Sequence, residues 1–225
     1  MPTETPQPTA THTFTPMPTA TNTGTPTPTA TPPSIIEMGR AGQLDIVALD
    51  QWQDKAESYA ETPVKIYNTP PNLLHMVTGD SPHTFWVDRD FQQNPFEFRV
   101  TLNLVTPGSS YGIGLKQGEN GAQYEFGVSQ GETVPGQFSF SLNDELIESG
   151  PVLTYDFTQT ERAFNSISVR VVDNYMAFIV NDEEQVYLYQ APEGLGSNWN
   201  IGLYAGPAAH ALIGSAYVYE LEPIK

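Results

Sequence analysis

Phe96-Glu97-Phe98-Arg99-Val100-Thr101-Leu102-Asn103-Leu104 alternates an apolar with a polar side chain along its whole length. Successive side chains of an extended chain point to opposite faces, so the two Phe, Val and two Leu line one face and Glu, Arg, Thr and Asn the other. One face meets a core. The stretch therefore reads as a strand of a sheet that is buried on one side only.

The same rhythm continues on both sides of it. Tyr111 to Lys116 and Ala122 to Val128 alternate in the same way and are joined by the polar turn Gly118-Glu119-Asn120-Gly121, which makes a hairpin. Ile167 to Val172 turns at Asp173-Asn174 into Tyr175 to Val180. The turn Asn181-Asp182-Glu183-Glu184 then leads into Gln185 to Tyr189, so three strands form a meander. Trp199 to Ala205 and Ala216 to Leu221 close the chain. Ten or more short strands with almost no helical periodicity predict an all-β fold, a two-sheet antiparallel β-sandwich over residues 35–225. Leu44 to Leu49 reads equally as strand or helical turn, and Asp54 to Tyr59 as a short helix.

Residues 1–34 are different in kind. Pro, Thr and Ala dominate from Pro2 to Pro33, with Thr at nearly every odd position, as in Thr25-Pro26-Thr27-Pro28-Thr29. Proline fixes φ and removes a donor, and too little apolar surface is present to offset the ordering entropy. The expectation is a disordered or extended, polyproline-II-like stalk of the kind that accepts O-linked sugars.

The 225 residues carry 26 Asp+Glu against 9 Lys+Arg, a formal charge of −17, and every acid except Glu4 lies after Ser34. Such a domain repels nucleic acid and anionic lipid surfaces. Cysteine is absent, which excludes disulfides, thiolate metal sites and Cys nucleophiles. No apolar run reaches the length of a membrane span, so direct membrane insertion is not expected. The N-terminus lacks the basic start and apolar stretch of a signal peptide. With a Thr/Pro stalk in front of a cysteine-free sandwich, the expected location is extracellular or at the cell surface, with an export signal or anchor upstream of Met1.

Tyr111-Gly112-Ile113-Gly114-Leu115, Tyr124-Glu125-Phe126-Gly127-Val128, Gly136-Gln137-Phe138-Ser139-Phe140, Phe178-Ile179-Val180-Asn181 and Ile201-Gly202-Leu203-Tyr204-Ala205 follow one another in an order that resembles the concanavalin A-like, laminin-G-type jelly roll. The pattern is most similar to a bacterial surface version found beside Thr-Pro stalks and related to family 16 glycoside hydrolases or keto-disaccharide hydrolases. The resemblance implies a jelly roll with a concave sheet suited to carbohydrate, and it implies no active site.

The residues themselves argue against catalysis. Family 16-type hydrolysis needs carboxylates on alternate residues of one strand, and no Glu-x-Asp-x-x-Glu string occurs. Asp182-Glu183-Glu184 reads as a hairpin turn, and Asp144-Glu145 with Glu148 as loop. His12, His75, His83 and His210 are far apart in the chain and show no metal or triad spacing. Gly112-x-Gly114 lies within a strand pattern and is not a phosphate loop. No cofactor is called for. Asp80, Asp173-Asn174 and Asn181-Asp182-Glu183 offer oxygen ligands to Ca2+ without a dedicated loop pattern.

The polar faces of the strands carry Arg99, Lys116, Gln123 and Glu125 around Gly112, Gly114 and Gly127. A glycine-floored trough beside hydrogen-bonding groups suits a sugar, bordered by a ring such as Trp86, Trp199, Tyr187 or Tyr204. Arg99, Lys116, Gln123, Glu125, Trp86 and Tyr204 are thus the candidate ligand residues. The same groups also fit a solvated sheet face held by cross-strand ion pairs, with glycines relieving curvature. The expected function is a non-catalytic recognition or adhesion module for a glycan or surface polymer. A surface-layer or filament subunit or receptor ectodomain, which would partner protein, and a glycoside-processing enzyme are the alternatives.

Overall fold

The computed structural model describes residues 38–46, 65–69, 73–92, 94–106, 108–118, 121–129, 136–153, 164–192 and 194–224. The stalk expected at 1–34 and the short helix expected at Asp54 to Tyr59 lie outside them. The described residues form strands and turns and include no helix.

In chain order the strands are β1 (Met38–Ile46), β2 (Lys65–Thr69), β3 (Leu73–Val77), β4 (His83–Gln92), β5 (Phe96–Leu104), β6 (Ser110–Gln117) and β7 (Gln123–Ser129). They continue with β8 (Gly136–Leu142), β9 (Glu145–Val152), β10 (Asn165–Val172), β11 (Tyr175–Val180), β12 (Glu184–Gln190), β13 (Asn198–Ala205) and β14 (His210–Pro223). One sheet has the order β12-β11-β10-β5-β14-β3-β2, and the other β4-β13-β6-β7-β8-β9. All pairings are antiparallel. β14 is long enough to pair with β3 through its first half and with β1 through its second, along the same edge.

The alternation in β5 does what its pattern requires: Phe96, Phe98, Val100 and Leu102 are fully buried between the sheets. Tyr111, Ile113 and Leu115 of β6, Tyr124, Phe126 and Val128 of β7, and Trp199, Ile201 and Leu203 of β13 face them from the other sheet. Aromatic rings join the layers. Phe126 stacks on Phe178 at 4.5 Å between centroids, and Trp199 contacts Phe96 at 5.8 Å. Each fully buried ring of this size contributes about 1.5–3 kcal/mol by leaving water.

Three local readings change. Leu44-Asp45-Ile46 is strand, because β1 is held by β14 across seven register pairs. The stretch after Asp144 is also strand. Asn143 and Asp144 both adopt positive φ (49° and 66°), which makes a tight two-residue turn and places Glu145 and Glu148 on β9. β14 begins at His210, six residues before the alternation became legible at Ala216.

Candidate functional site

The outer face of the six-stranded sheet is built in rows, because strands in register bring one outward residue from each strand side by side. One row runs Trp86 (β4), Gly202 (β13), Gly114 (β6), Glu125 (β7), Ser141 (β8) and Leu146 (β9). The next runs Thr84, Tyr204, Gly112, Gly127 and Ser139 along β4, β13, β6, β7 and β8. On the other side of the first row lie Asn200, Lys116 and Gln123.

The space over Gly114, Gly127 and Gly202 is occupied by neighbours' side chains, which corrects the expected open trough. A Cβ on Gly202 would stand 2.9 Å from Trp86 Cε3, and one on Gly114 would stand 3.1 Å from Trp86 Cη2 and 2.5 Å from Thr84 Cγ2. The indole therefore lies along the sheet, reaching from β4 over β13 to β6. Tyr204 does the same in the adjacent row, where a Cβ on Gly127 would meet its Cε1 at 2.9 Å. Glycine is needed here so that two rings can lie flat where they would otherwise stand upright.

Beside the indole, Glu125 is held from two sides. Thr84 Oγ1 donates to its Oε1 at 2.5 Å and Gln123 Nε2 donates to the same oxygen at 3.0 Å. Oε2 has no partner among the described residues. Burial, opposed by a hydrogen bond to the Ser110 side chain and assisted by the charge of Glu125, raises the pKa of Tyr204, so its phenol stays protonated. Asn200 is anchored by Nδ2 donating to Val87 O at 2.8 Å. The face thus offers two flat rings, a fixed carboxylate, an amide and the half-exposed Lys116.

Five of the six candidate residues, Trp86, Lys116, Gln123, Glu125 and Tyr204, come together here. Arg99 does not join them. It lies on β5, and β5 pairs with β10 and β14, so Arg99 projects from the outer face of the other sheet, with the core in between. The chain changes sheets between β5 and β6, and alternation within a strand carries no signal for that crossing. Arg99 there bonds Asp182 at 2.5 Å. Glu97, completely buried, is gripped by Arg40 at 2.6 Å and Arg170 at 3.0 Å, and Arg40 also reaches Asp182 at 3.0 Å and stacks over Tyr219. For Arg99 the cross-strand ion pairs expected of a solvated sheet face take the form of this network.

Of the other rings considered as borders, Trp199 is fully buried in the core, and Tyr187 packs on Phe138, Phe140 and Phe178. Asp182, a candidate Ca2+ ligand, is engaged by Arg40 and Arg99. Among the described residues no three His, Asp or Glu side chains gather so as to hold a metal ion. Thr84, Ser139 and Asn200 were missed as members of the face. Thr84 lies in β4, where the unbroken apolar run Phe85-Trp86-Val87 hides the alternation, and the other two acquire their place only through register.

No protein-family model matches the chain, and no curated protein sequence matches it. Solved structures do. A Bacillus subtilis protein of unknown function described as having a galectin-like fold superposes with a TM-score of 0.62 at 8% identity, over 83% of this chain and all of the other. A carbohydrate-binding module from Bacillus subtilis is similar at 0.51 and 10% identity, covering 70% of this chain and 92% of its own. A prokaryotic β-1,3-1,4-glucanase (lichenase) derived from a mouse hindgut metagenome reaches 0.51 at 16% identity, over 71% and 83%. Likeness at such low identity speaks to architecture alone, and on that ground this chain is a jelly-roll β-sandwich of the galectin-like, concanavalin A-like fold.

Proposed function

We propose that the domain is a non-catalytic, extracellular recognition module that binds an uncharged glycan on the outer face of the six-stranded sheet. The observation that carries this reading is the pair of rings, Trp86 and Tyr204, laid flat over glycines beside a Glu125 held through Oε1 by Thr84 and Gln123. Sugar rings present apolar C–H faces edged by hydroxyls. A flat indole stacks on the first, while a carboxylate and amides fixed in advance bond the second without further ordering cost. The acidic surface disfavours anionic polymers.

The likeness to a carbohydrate-binding module supports the same reading. Catalysis is left out of it because glycoside hydrolysis needs a pair of carboxyl groups, about 5–5.5 Å apart with retention and about 6.5–9.5 Å apart with inversion. Among the described side chains on this face, Glu125 is the one carboxylate.

A glycan array followed by calorimetry on the best neutral polysaccharide tests the proposal. Trp86→Ala should weaken binding about tenfold or more, equivalent to about 1.4 kcal/mol, and Glu125→Gln should weaken it as well. Arg99→Ala, on the opposite sheet, should leave it unchanged. Binding insensitive to both Trp86 and Glu125, or release of reducing ends from β-glucan by the unmodified protein, would sink the reading.

A further inference from the structure

Two imidazoles that are far apart in the chain meet on the outer face of the eight-stranded sheet. β3 and β14 run antiparallel with His75 opposite Leu212 and His210 opposite Val77, so the two histidines are diagonal neighbours. Leu74, Met76, Ala211 and Ile213 take the inward positions of the same strands, which turns both rings outward. His75 Nδ1 stands 3.0 Å from His210 Nε2, with ring centroids 5.3 Å apart and planes inclined by 34°. Both residues are half-buried.

We propose that His75 and His210 form a binding site for a divalent transition-metal ion, with zinc and copper as its natural class of occupant. Two nitrogens bound to one ion at about 2.0–2.1 Å stand about 2.9 Å apart at a right angle and about 3.4 Å apart at the tetrahedral angle. The observed spacing already falls in that range, so the site needs rotation of the rings and no movement of the strands. The paired strands fix both Cα positions, which removes much of the entropy that a flexible chain loses on chelation.

The protonation state suits metal as well. Burial lowers the pKa of both rings, and the neighbouring His210 lowers that of His75 further, so both are neutral near pH 7. Between two neutral imidazoles the contact is one N–H donated to one lone pair. On coordination that proton moves to the far nitrogen of its own ring and both facing lone pairs turn to the ion, so no net proton is released.

The charge of −17 raises the local concentration of divalent cations around the domain. Nitrogen ligands then select among them, favouring copper over zinc and giving hard Ca2+ or Mg2+ no advantage. With two ligands from the described residues, the further positions are open to water or to donors of whatever docks on this face. Because the pair lies on the sheet opposite Trp86 and Glu125, the proposal stands independently of glycan binding.

The test is calorimetric titration of the full chain with Zn2+ and Cu2+, in a His12→Ala background so that the first imidazole of the sequence does not contribute. One equivalent should bind, and Ca2+ should give no signal. His75→Gln and His210→Gln should each weaken binding by more than the about 10–100-fold that loss of a supporting hydrogen bond costs. His83→Gln should leave it unchanged. Long-range 1H–15N spectra of the unmodified protein supply a readout free of any folding defect, since the ring nitrogens of His75 and His210 should shift together on adding Zn2+. Absence of stoichiometric Zn2+ and Cu2+ binding, unchanged affinity in both Gln variants, or ring shifts confined to other histidines would each overturn the assignment.

Discussion

The outer faces of the two sheets arise from the same two-residue alternation, yet they are chemically opposite. On the eight-stranded sheet the charges satisfy one another: Glu97 is buried beneath Arg40 and Arg170, and Asp182 ties Arg40 to Arg99. On the six-stranded sheet glycines let Trp86 and Tyr204 lie down, and Glu125 Oε2 has no partner among the described residues. Where charged groups pair with one another, as they do around Glu97, little is left for a ligand. The difference teaches that polar residues on a sheet surface become informative only once their partners are known.

The largest effect that tests this contrast should come from Glu97. Its side chain has no solvent exposure, and removing it takes from the buried Arg170 the carboxylate it was paired with. Glu97→Ala should cost about 3–5 kcal/mol of unfolding free energy in urea denaturation, whereas Glu125→Gln should cost about 1 kcal/mol or less while impairing ligand binding. Equal stability losses would erase the distinction between a locked face and an open one.

Gly114→Ala sharpens the contrast from the other side. Its Cβ would collide with Thr84 and Trp86, so overpacking should cost about 1–3 kcal/mol and lift the indole off the sheet. Trp86 fluorescence should shift and glycan affinity should fall together. A folded variant with unchanged binding would show that the flat indole is not the platform.

The smallest effect concerns pH. Burial depresses the pKa of His75, His83 and His210 in the folded state, so the unfolded chain binds protons more readily. Stability should be fully present above the ordinary histidine pKa of about 6.5 and decline as pH falls through that value towards the folded-state pKa, levelling off below it. His75→Gln should flatten part of that slope in denaturation curves between about pH 7.5 and about pH 5.5, a range of about one unit either side of the unperturbed value. An unchanged slope would place the pH sensitivity elsewhere.

How much of this was legible beforehand depends on the range of the interaction. Phe96 to Leu104 and Tyr124 to Val128 announced which side chains enter the core, because alternation is local and the hydrophobic effect acts on each strand's own pattern. The same locality let Lys116, Gln123 and Glu125 be recognised as outward-facing, while Trp86 and Tyr204 were named only as rings able to border them. It also misled about Arg99, since outward on β5 and outward on β7 are opposite sides of the molecule.

By itself the sequence determined an acidic, cysteine-free antiparallel sandwich in which alternating strands such as Phe96 to Leu104 turn one face to a core. Only the tertiary structure decided which outward residues are neighbours. It put Trp86 over glycines from two other strands, paired Arg40 with Glu97 across 57 residues of chain, and set His75 against His210 across 135. The physical reason is that alternation assigns each side chain to a face, whereas strand order and register are global properties that emerge when all the strands share a single core.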